Sequence, residues 1–190
     1  MKKLIEGVAY NSMGKHRAFI DGKKTKTYQT WRSMLQRCYD KRFHKNNPTY
    51  IGCTVCDEWL DYQNFAEWYI EHKYGNLGYQ LDKDLLIQGN KVYSPETCCL
   101  VPKDLNVLLI DSRAMRGKYP QGVHFFKPTS RYAVQIRING KQNYLGLYDC
   151  PQEAALVYKK AKEAHVKTKA NEWRDRIAPE VYEALMDWEL

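Results

Sequence analysis

The feature that most constrains the fold is a hairpin signal in the second half of the chain. Residues 132–138 and 142–146 are rich in β-branched and aromatic side chains, and Asn139-Gly140 between them favours a tight antiparallel turn. A further strand is predicted at residues 122–126, and Pro151 opens a helix whose apolar residues are spaced to pack on a sheet. Together these signals predict a three-stranded antiparallel sheet packed on a helix.

Alternation along the central strand assigns its side chains to two faces of the sheet. One face is apolar and consists of Tyr132, Val134, Ile136 and Ile138. The opposite face consists of Arg131, Ala133, Gln135 and Arg137. We therefore expect one covered face and one face that offers polar side chains to a partner.

The first half of the chain predicts a helical module. Apolar residues recur at helical spacing over residues 27–40, and Asp57 is the expected cap of a second helix carrying Phe65, Trp68 and Tyr69. A strand at 79–87, a turn at Gly89-Asn90, a return strand at 91–93 and a helix at 101–110 then form a ββα unit.

The domain organisation follows from these elements, and the fold class is α+β. Residues 1–26 are predicted to be an irregular basic arm and residues 27–112 the ββα module. Residues 111–120 are a polar linker with Gly and Pro, residues 117–170 the sheet domain and residues 171–190 a C-terminal helix.

Charge is distributed unevenly along the chain, which has a net charge of +8. Residues 1–45 hold 12 Lys and Arg against 3 Asp and Glu, and residues 117–171 hold 10 against 3. The intervening residues 46–116 are acidic, with 6 against 10. Two basic blocks favour a polyanionic partner such as nucleic acid, although a solvated basic surface has the same composition.

Other properties limit the class of protein. No stretch has the roughly 20 apolar residues of a membrane span, and the first residues lack the apolar core of a signal peptide. Six cysteines in 190 residues are too sparse for a disulfide scaffold. We expect a cytoplasmic protein with reduced thiols and no membrane partner.

Residues 119–170 resemble the APETALA2/ethylene-response-factor DNA-binding domain, which occurs in plant transcription factors and in many phage and bacterial HNH endonucleases. The resemblance rests on Gly122-Val123, on residues 131–137, on the Leu-Gly-aromatic signature at 144–148 and on Glu153-Ala154-Ala155 with Tyr158. It implies that the sheet lies in the major groove of double-stranded DNA. A small αβ module that binds protein is the alternative.

The same resemblance implies the DNA-contacting positions. They correspond to Gln121, His124, Phe126, Arg131, Gln135, Arg137, Gln142 and Tyr144. Because His124, Phe126 and Gln142 stand where the plant domains usually have arginine, we do not expect the plant target sequence.

The preceding module resembles the HNH nucleases of a T7-like phage family. Residues 81–86, 90–98 and 100–106 match the ββα motif, and residues 31–39 and 56–59 resemble its flanks. The resemblance implies a DNA endonuclease or nickase, a hydrolase in which Asp82 and Asn106 hold Mg²⁺ or Mn²⁺.

The motif lacks its histidine base. Lys83 occupies the base position and Thr97 the orienting position, and an ordinary lysine is protonated at neutral pH. Four interpretations remain open: a degenerate nuclease fold kept for DNA binding, another base, a shifted register, or an ordinary hairpin with solvated carboxylates. Candidates for another base are Asp84, His44 and His72.

A zinc site is a further prediction. Cys53 and Cys56 have the two-residue gap of a zinc knuckle, and Cys38 with Cys98 or Cys99 would complete four ligands. Buried free cysteines are the alternative.

The sequence thus predicts an HNH-like DNA endonuclease with a DNA-binding domain. A non-catalytic DNA-binding protein is the first alternative. A protein that binds a host factor through the acidic residues 172–190 is the second.

Overall fold

The computed structural model describes residues 4–110 and 117–190, and it divides into two compact units, residues 1–103 and 104–190. Helices and strands are both present, which confirms the predicted α+β class. Residues 1–3 of the predicted arm and residues 111–116 of the predicted linker lie outside the described residues.

The N-terminal unit combines helices with short strand pairs. Its helices are α1 (Lys26–Tyr39), α2 (Lys41–Asn46) and α3 (Tyr62–Glu71). Its strands are β1 (Phe19–Ile20), β2 (Lys23–Lys24), β3 (Thr54–Val55), β4 (Gln80–Asp82), β5 (Val92–Tyr93) and β6 (Cys99–Val101). The pairs β1–β2 and β4–β6 are antiparallel, and β3–β5 is parallel.

Helix α1 forms where the apolar spacing predicts it. Thr25 caps the helix by accepting a hydrogen bond from the Tyr28 amide at 3.2 Å. Trp31 is fully buried, and its indole Nε1 donates to the Trp59 carbonyl at 2.7 Å. The Trp59 ring in turn meets Phe65 of α3 edge-on at 5.1 Å, so that aromatic packing joins α1 to α3.

The predicted cap of the second helix is wrong. Asp57 begins a 3₁₀ segment, Asp57–Leu60, and the chain turns into α3 only at Asp61, whose side chain accepts from the Gln63 amide. Phe65 and Tyr69 are buried as predicted, whereas Trp68 is half-buried.

The predicted strand pairing is also wrong. Strand β4 pairs with β6, which places Asp82 opposite Cys99, while β5 joins β3. All three residues of β6 are buried, whereas Val92 of β5 is 39% exposed. Residues 83–98 connect the paired strands β4 and β6, and this connection contains β5.

The basic arm is more ordered than predicted. Asp21 and Gly22 both have positive φ, and they close the β1–β2 hairpin. Lys15 Nζ and His16 Nε2 contact the two carboxylate oxygens of Glu67 in α3, at 2.5 and 2.6 Å. These contacts hold the arm against α3. The sequence of the arm has no periodicity that could have indicated them.

The C-terminal unit contains the predicted sheet. Its strands, β7 (Val123–Phe126), β8 (Arg131–Ile138) and β9 (Lys141–Tyr148), are antiparallel in the order β7-β8-β9. Asn139 and Gly140 both have positive φ, as the tight turn requires. Its helices are α4 (Lys103–Leu109), whose start coincides with the boundary between the units, α5 (Pro151–Trp173) and α6 (Pro179–Met186).

The core of this unit lies between the sheet and α5, as the alternation predicts. It is formed by Val123, Val134, Ile136, Ala154 and Tyr158. At Gly122 the backbone approaches the helix so closely that a Cβ atom would lie 2.0 Å from Cδ2 of Tyr158.

The last helices differ from the prediction in their bounds. Helix α5 continues to Trp173, and α6 packs against it. His165 and Lys162, both in α5, are buried. No helix within residues 4–110 and 117–190 is long and apolar enough to cross a membrane.

Candidate nucleic-acid interface

Seven of the eight predicted DNA-contacting residues share the face of the sheet that points away from α5. Cross-strand partners lie on the same face, and His124 pairs with Ala133, Phe126 with Arg131, Gln135 with Tyr144 and Arg137 with Gln142. The apolar residues of the core alternate with this set. We call the set the outer face; it consists of His124, Phe126, Arg131, Gln135, Arg137, Gln142 and Tyr144.

Most of the outer face is accessible. His124, Phe126, Arg137, Gln142 and Tyr144 are exposed, and Arg131 and Gln135 are half-buried. Two contacts order these side chains. Arg131 Nε donates to Asp149 Oδ1 at 2.8 Å, and Gln142 Nε2 donates to Gln135 Oε1 at 3.1 Å.

Gln121 is the exception. It precedes β7, in the turn that ends at the close approach of Gly122, and its side-chain Oε1 is buried without a hydrogen-bond partner. The structure therefore does not place Gln121 on the outer face, because the strand alternation begins only at Val123.

A cleft of about 380 Å³ opens beside the outer face. It is lined by residues that precede the sheet and by one or more side chains from each strand, namely Lys118, Tyr119, Gly122, His124, Gln135 and Gln142. The cleft thus brings a lysine, a histidine and two amides to one place.

In the N-terminal unit, Asp82 ends β4. Its Oδ1 accepts hydrogen bonds from the amides of Asp84 and Leu85, at 3.0 and 2.8 Å. Burial, followed by the charge of Asp84, raises the pKa of the Asp82 carboxyl above its usual value. Within the described residues no group of three or more His, Cys, Asp or Glu is arranged to hold a metal ion.

Lys83 is directed into the fold. Its side chain is 7% exposed, and Nζ donates to the Asn90 carbonyl at 2.9 Å and pairs with Asp84 Oδ2 at 2.9 Å. The lysine at the predicted base position therefore has structural partners. Asp84, the alternative base, is the partner of that lysine.

The side chain of Asn90 holds together the segment between Lys83 and Val92. The sequence indicated only a turn at this position. Asn90 Nδ2 donates to the carbonyls of Lys83 and Val92, at 2.6 and 2.7 Å, and its Oδ1 accepts from the Val92 amide. The Gly89-Asn90 pair was the only available signal.

The remaining predicted catalytic positions lie in other segments of the described residues. Thr97 Oγ1 donates to the Val92 carbonyl at 2.8 Å, and Asn106 lies in α4 beyond the boundary between the units. His44 Nε2 is 2.8 Å from the Arg37 carbonyl, and His72 Nδ1 accepts from the Tyr74 amide.

The cysteines are free thiols. Burial raises the pKa of Cys38 and of Cys98 to about 12 and also raises the pKa of Cys53 and Cys56. Burial therefore favours the thiol over the thiolate in the absence of a metal ion, and a metal-bound cysteine is a thiolate. Zinc stays a prediction from the CxxC spacing.

Comparisons with protein families, with characterised proteins and with solved structures find no match for this chain.

Proposed function

We propose that this protein binds double-stranded DNA through the outer face of β7–β9. The observation that carries the proposal is the collection of seven polar and aromatic side chains from three strands on one uncovered face, opposite a packed apolar face. Arginine, glutamine and tyrosine are residues that contact base edges and phosphates.

The dimensions of the sheet are compatible with the major groove. Neighbouring strands are about 4.8 Å apart, so three strands span roughly 10 Å between the axes of the outer ones. The major groove of B-DNA is about 12 Å wide and admits β-strands. Residues 117–171 also carry the excess of Lys and Arg that attraction to phosphate requires.

The test is the affinity of the full chain for a duplex of about 30 base pairs, measured by fluorescence anisotropy at several salt concentrations. We expect binding that weakens steeply with salt, because each neutralised phosphate contributes about 0.9 to the log–log slope. Arg137→Gln should weaken binding. Lys160→Gln removes an exposed charge from α5, away from the outer face, and should weaken it less.

Two outcomes would contradict the proposal. One is the absence of binding at low salt by folded protein, which would favour a protein partner instead. The other is an equal effect of Arg137→Gln and Lys160→Gln, which would mean that charge alone, and not the outer face, governs affinity.

A second candidate function, metal-dependent cleavage of DNA, is favoured by the geometry of Asp82. Two backbone amides fix the orientation of its carboxyl group. Mg²⁺ is commonly held by one or two carboxylates together with water and substrate phosphate, which suits a single oriented aspartate. Asn106 is the second ligand implied by the HNH resemblance.

Cleavage and binding can be separated in one experiment. Supercoiled plasmid is incubated with the protein and Mg²⁺ or Mn²⁺, and nicking and retention on a gel are scored together. Nicking that Asp82→Asn abolishes without reducing retention would support the nuclease. Retention without nicking, in either metal, would leave a non-catalytic DNA-binding protein.

A further inference from the structure

Two side-chain amides on the outer face are bonded to each other. Gln142 Nε2, in β9, donates to Gln135 Oε1, in β8, at 3.1 Å. The two residues are diagonal neighbours, since Gln142 lies opposite Arg137 and Gln135 lies opposite Tyr144. A backbone hydrogen bond also holds Gln135, because its backbone N–H donates to the Gly122 carbonyl at 2.9 Å.

This bond fixes which way the Gln135 amide faces. Its Oε1 has two lone pairs and uses one for Gln142, which leaves one lone pair and both Nε2 hydrogens. Within residues 4–110 and 117–190 no other hydrogen bond to the side-chain amide of Gln135 is present. Gln135 therefore offers one acceptor and one donor side by side, in a set orientation.

The complementary pattern in DNA is the major-groove edge of adenine. Adenine presents N6–H₂ as a donor and N7 as an acceptor, and glutamine binds both at once. Guanine presents two acceptors, O6 and N7, so its O6 would face the Oε1 lone pair without a hydrogen between them. The cleft beside Gln135 and Gln142 leaves room for the edge of a base.

We propose that Gln135 reads an adenine in the major groove and that Gln142 is the positioning residue that sets the orientation of its amide. The inference rests on the proposed DNA-binding function and adds a base preference to it. The preference is lost if the side-chain amide of Gln135 is held in the reverse orientation, because its donor and acceptor then exchange places.

The experiment begins with selection of bound duplexes from a random library by the full chain. The selected adenine is then replaced by guanine, or by 7-deazaadenine, which lacks the N7 acceptor. For the unmodified protein we expect guanine to weaken binding roughly 5- to 150-fold. We expect 7-deazaadenine to weaken binding roughly 2- to 12-fold.

Variants assign the preference to the amide pair. Gln135→Ala should bring the affinity ratio of adenine to 7-deazaadenine close to one. Gln142→Lys keeps a donor facing Oε1 and should preserve the ratio, whereas Gln142→Glu offers only acceptors, turns the Gln135 amide over and should remove the preference. Because the readout is a ratio, the uniform effect of an added charge on DNA affinity cancels.

Asn143→Ala is the matched control, since Asn143 is an exposed neighbour in β9 that pairs with Ile136 on the other face. Selected sites without a preferred adenine, or an equal ratio in the Gln142→Lys and Gln142→Glu variants, would overturn the inference and leave DNA binding intact. Failure of the unmodified chain to retain any duplex would overturn both proposals.

Discussion

The loop after β4 and the sheet β7–β9 use polar side chains in opposite ways. At the end of β4, Asp82 accepts two backbone amides and Lys83 donates to a backbone carbonyl, so both residues help to hold the loop together. On the outer face of the sheet, Arg137 and Tyr144 are exposed, and the Gln135 amide retains bonding capacity. One set of groups has structural partners, and the other is available to a ligand.

The difference shows that the hydrogen bonds of a side chain indicate its availability to a ligand better than its position in a motif does. The HNH resemblance predicts a catalytic base at the position of Lys83, yet the side-chain nitrogen of Lys83 is buried between Asn90 and Asp84. On the outer face, the alternation of an eight-residue strand places its polar side chains on one side. Accessibility therefore separates the two regions better than residue type does.

The largest expected effect tests whether the outer face depends on packing behind it. Gly122→Ala would force a Cβ atom against Tyr158 and against the Gln135 carbonyl, at 2.0 and 2.8 Å, at a residue with φ of +74°. The positive φ costs about 1–2 kcal/mol for alanine, and the overpacking adds about 1–3 kcal/mol. Denaturant unfolding should show this loss of stability, together with weaker DNA binding.

Gly140→Ala is the control for that experiment. Gly140 has φ of +77° in the hairpin turn but nothing within 4 Å of the added Cβ atom, so only the backbone cost of about 1–2 kcal/mol applies. Equal losses in the two variants would mean that the sheet does not depend on the close approach at Gly122.

The next effect tests the structural role of Lys83. Lys83→Met keeps the buried aliphatic stem but removes the ammonium, which leaves the Asn90 carbonyl without its partner and Asp84 without its ion pair. Loss of a buried hydrogen-bond partner costs about 1–3 kcal/mol. Loss of the ion pair adds little, because the side chain of Asp84 is 50% exposed. Urea unfolding should therefore report a lower stability with unchanged DNA affinity.

Lys91→Met is the matched control, because Lys91 also donates to a carbonyl, that of Thr49, but from an exposed position. We expect a loss below about 1 kcal/mol there. If Lys83→Met were as stable as the unmodified protein and lost a nuclease activity, Lys83 would belong with the reactive groups, and the comparison between the two regions would fail.

The sequence predicted the second unit better than the first because its signals are local. The period of two along residues 131–138 and the Asn139-Gly140 turn need no distant partner to be recognised. Strands β4 and β6 are separated by 16 residues, 83–98, and the side chain of Asn90 makes three hydrogen bonds within that connection. No periodicity indicates such bonds, and lysine is rarely buried, so the placement of Lys83 could not be predicted.

His165 is a buried titratable group in the same unit as the outer face. The contrast between partnered and available groups therefore holds for the two surfaces and not for whole units. His165 lies in α5, against which α6 packs from a later part of the chain. Burial, together with the positive charges of Lys162 and Lys169, lowers the pKa of His165 below the ordinary 6.5, while Glu172 acts in the opposite direction. The unfolded chain therefore binds a proton near pH 6.5 that the folded chain does not.

The smallest expected effect follows from that difference in proton binding. As the pH falls below about 6.5, the unfolded state gains the stabilising proton and the stability of the unit declines, by at most about 1.4 kcal/mol per pH unit for one group. His165→Gln should remove this component, so its unfolding temperature should fall less than that of the unmodified protein between pH 7.5 and pH 5. Equal profiles for the two proteins would show that His165 takes up its proton in the folded state as readily as in the unfolded chain. The contrast between partnered and available groups would then apply to the outer face alone.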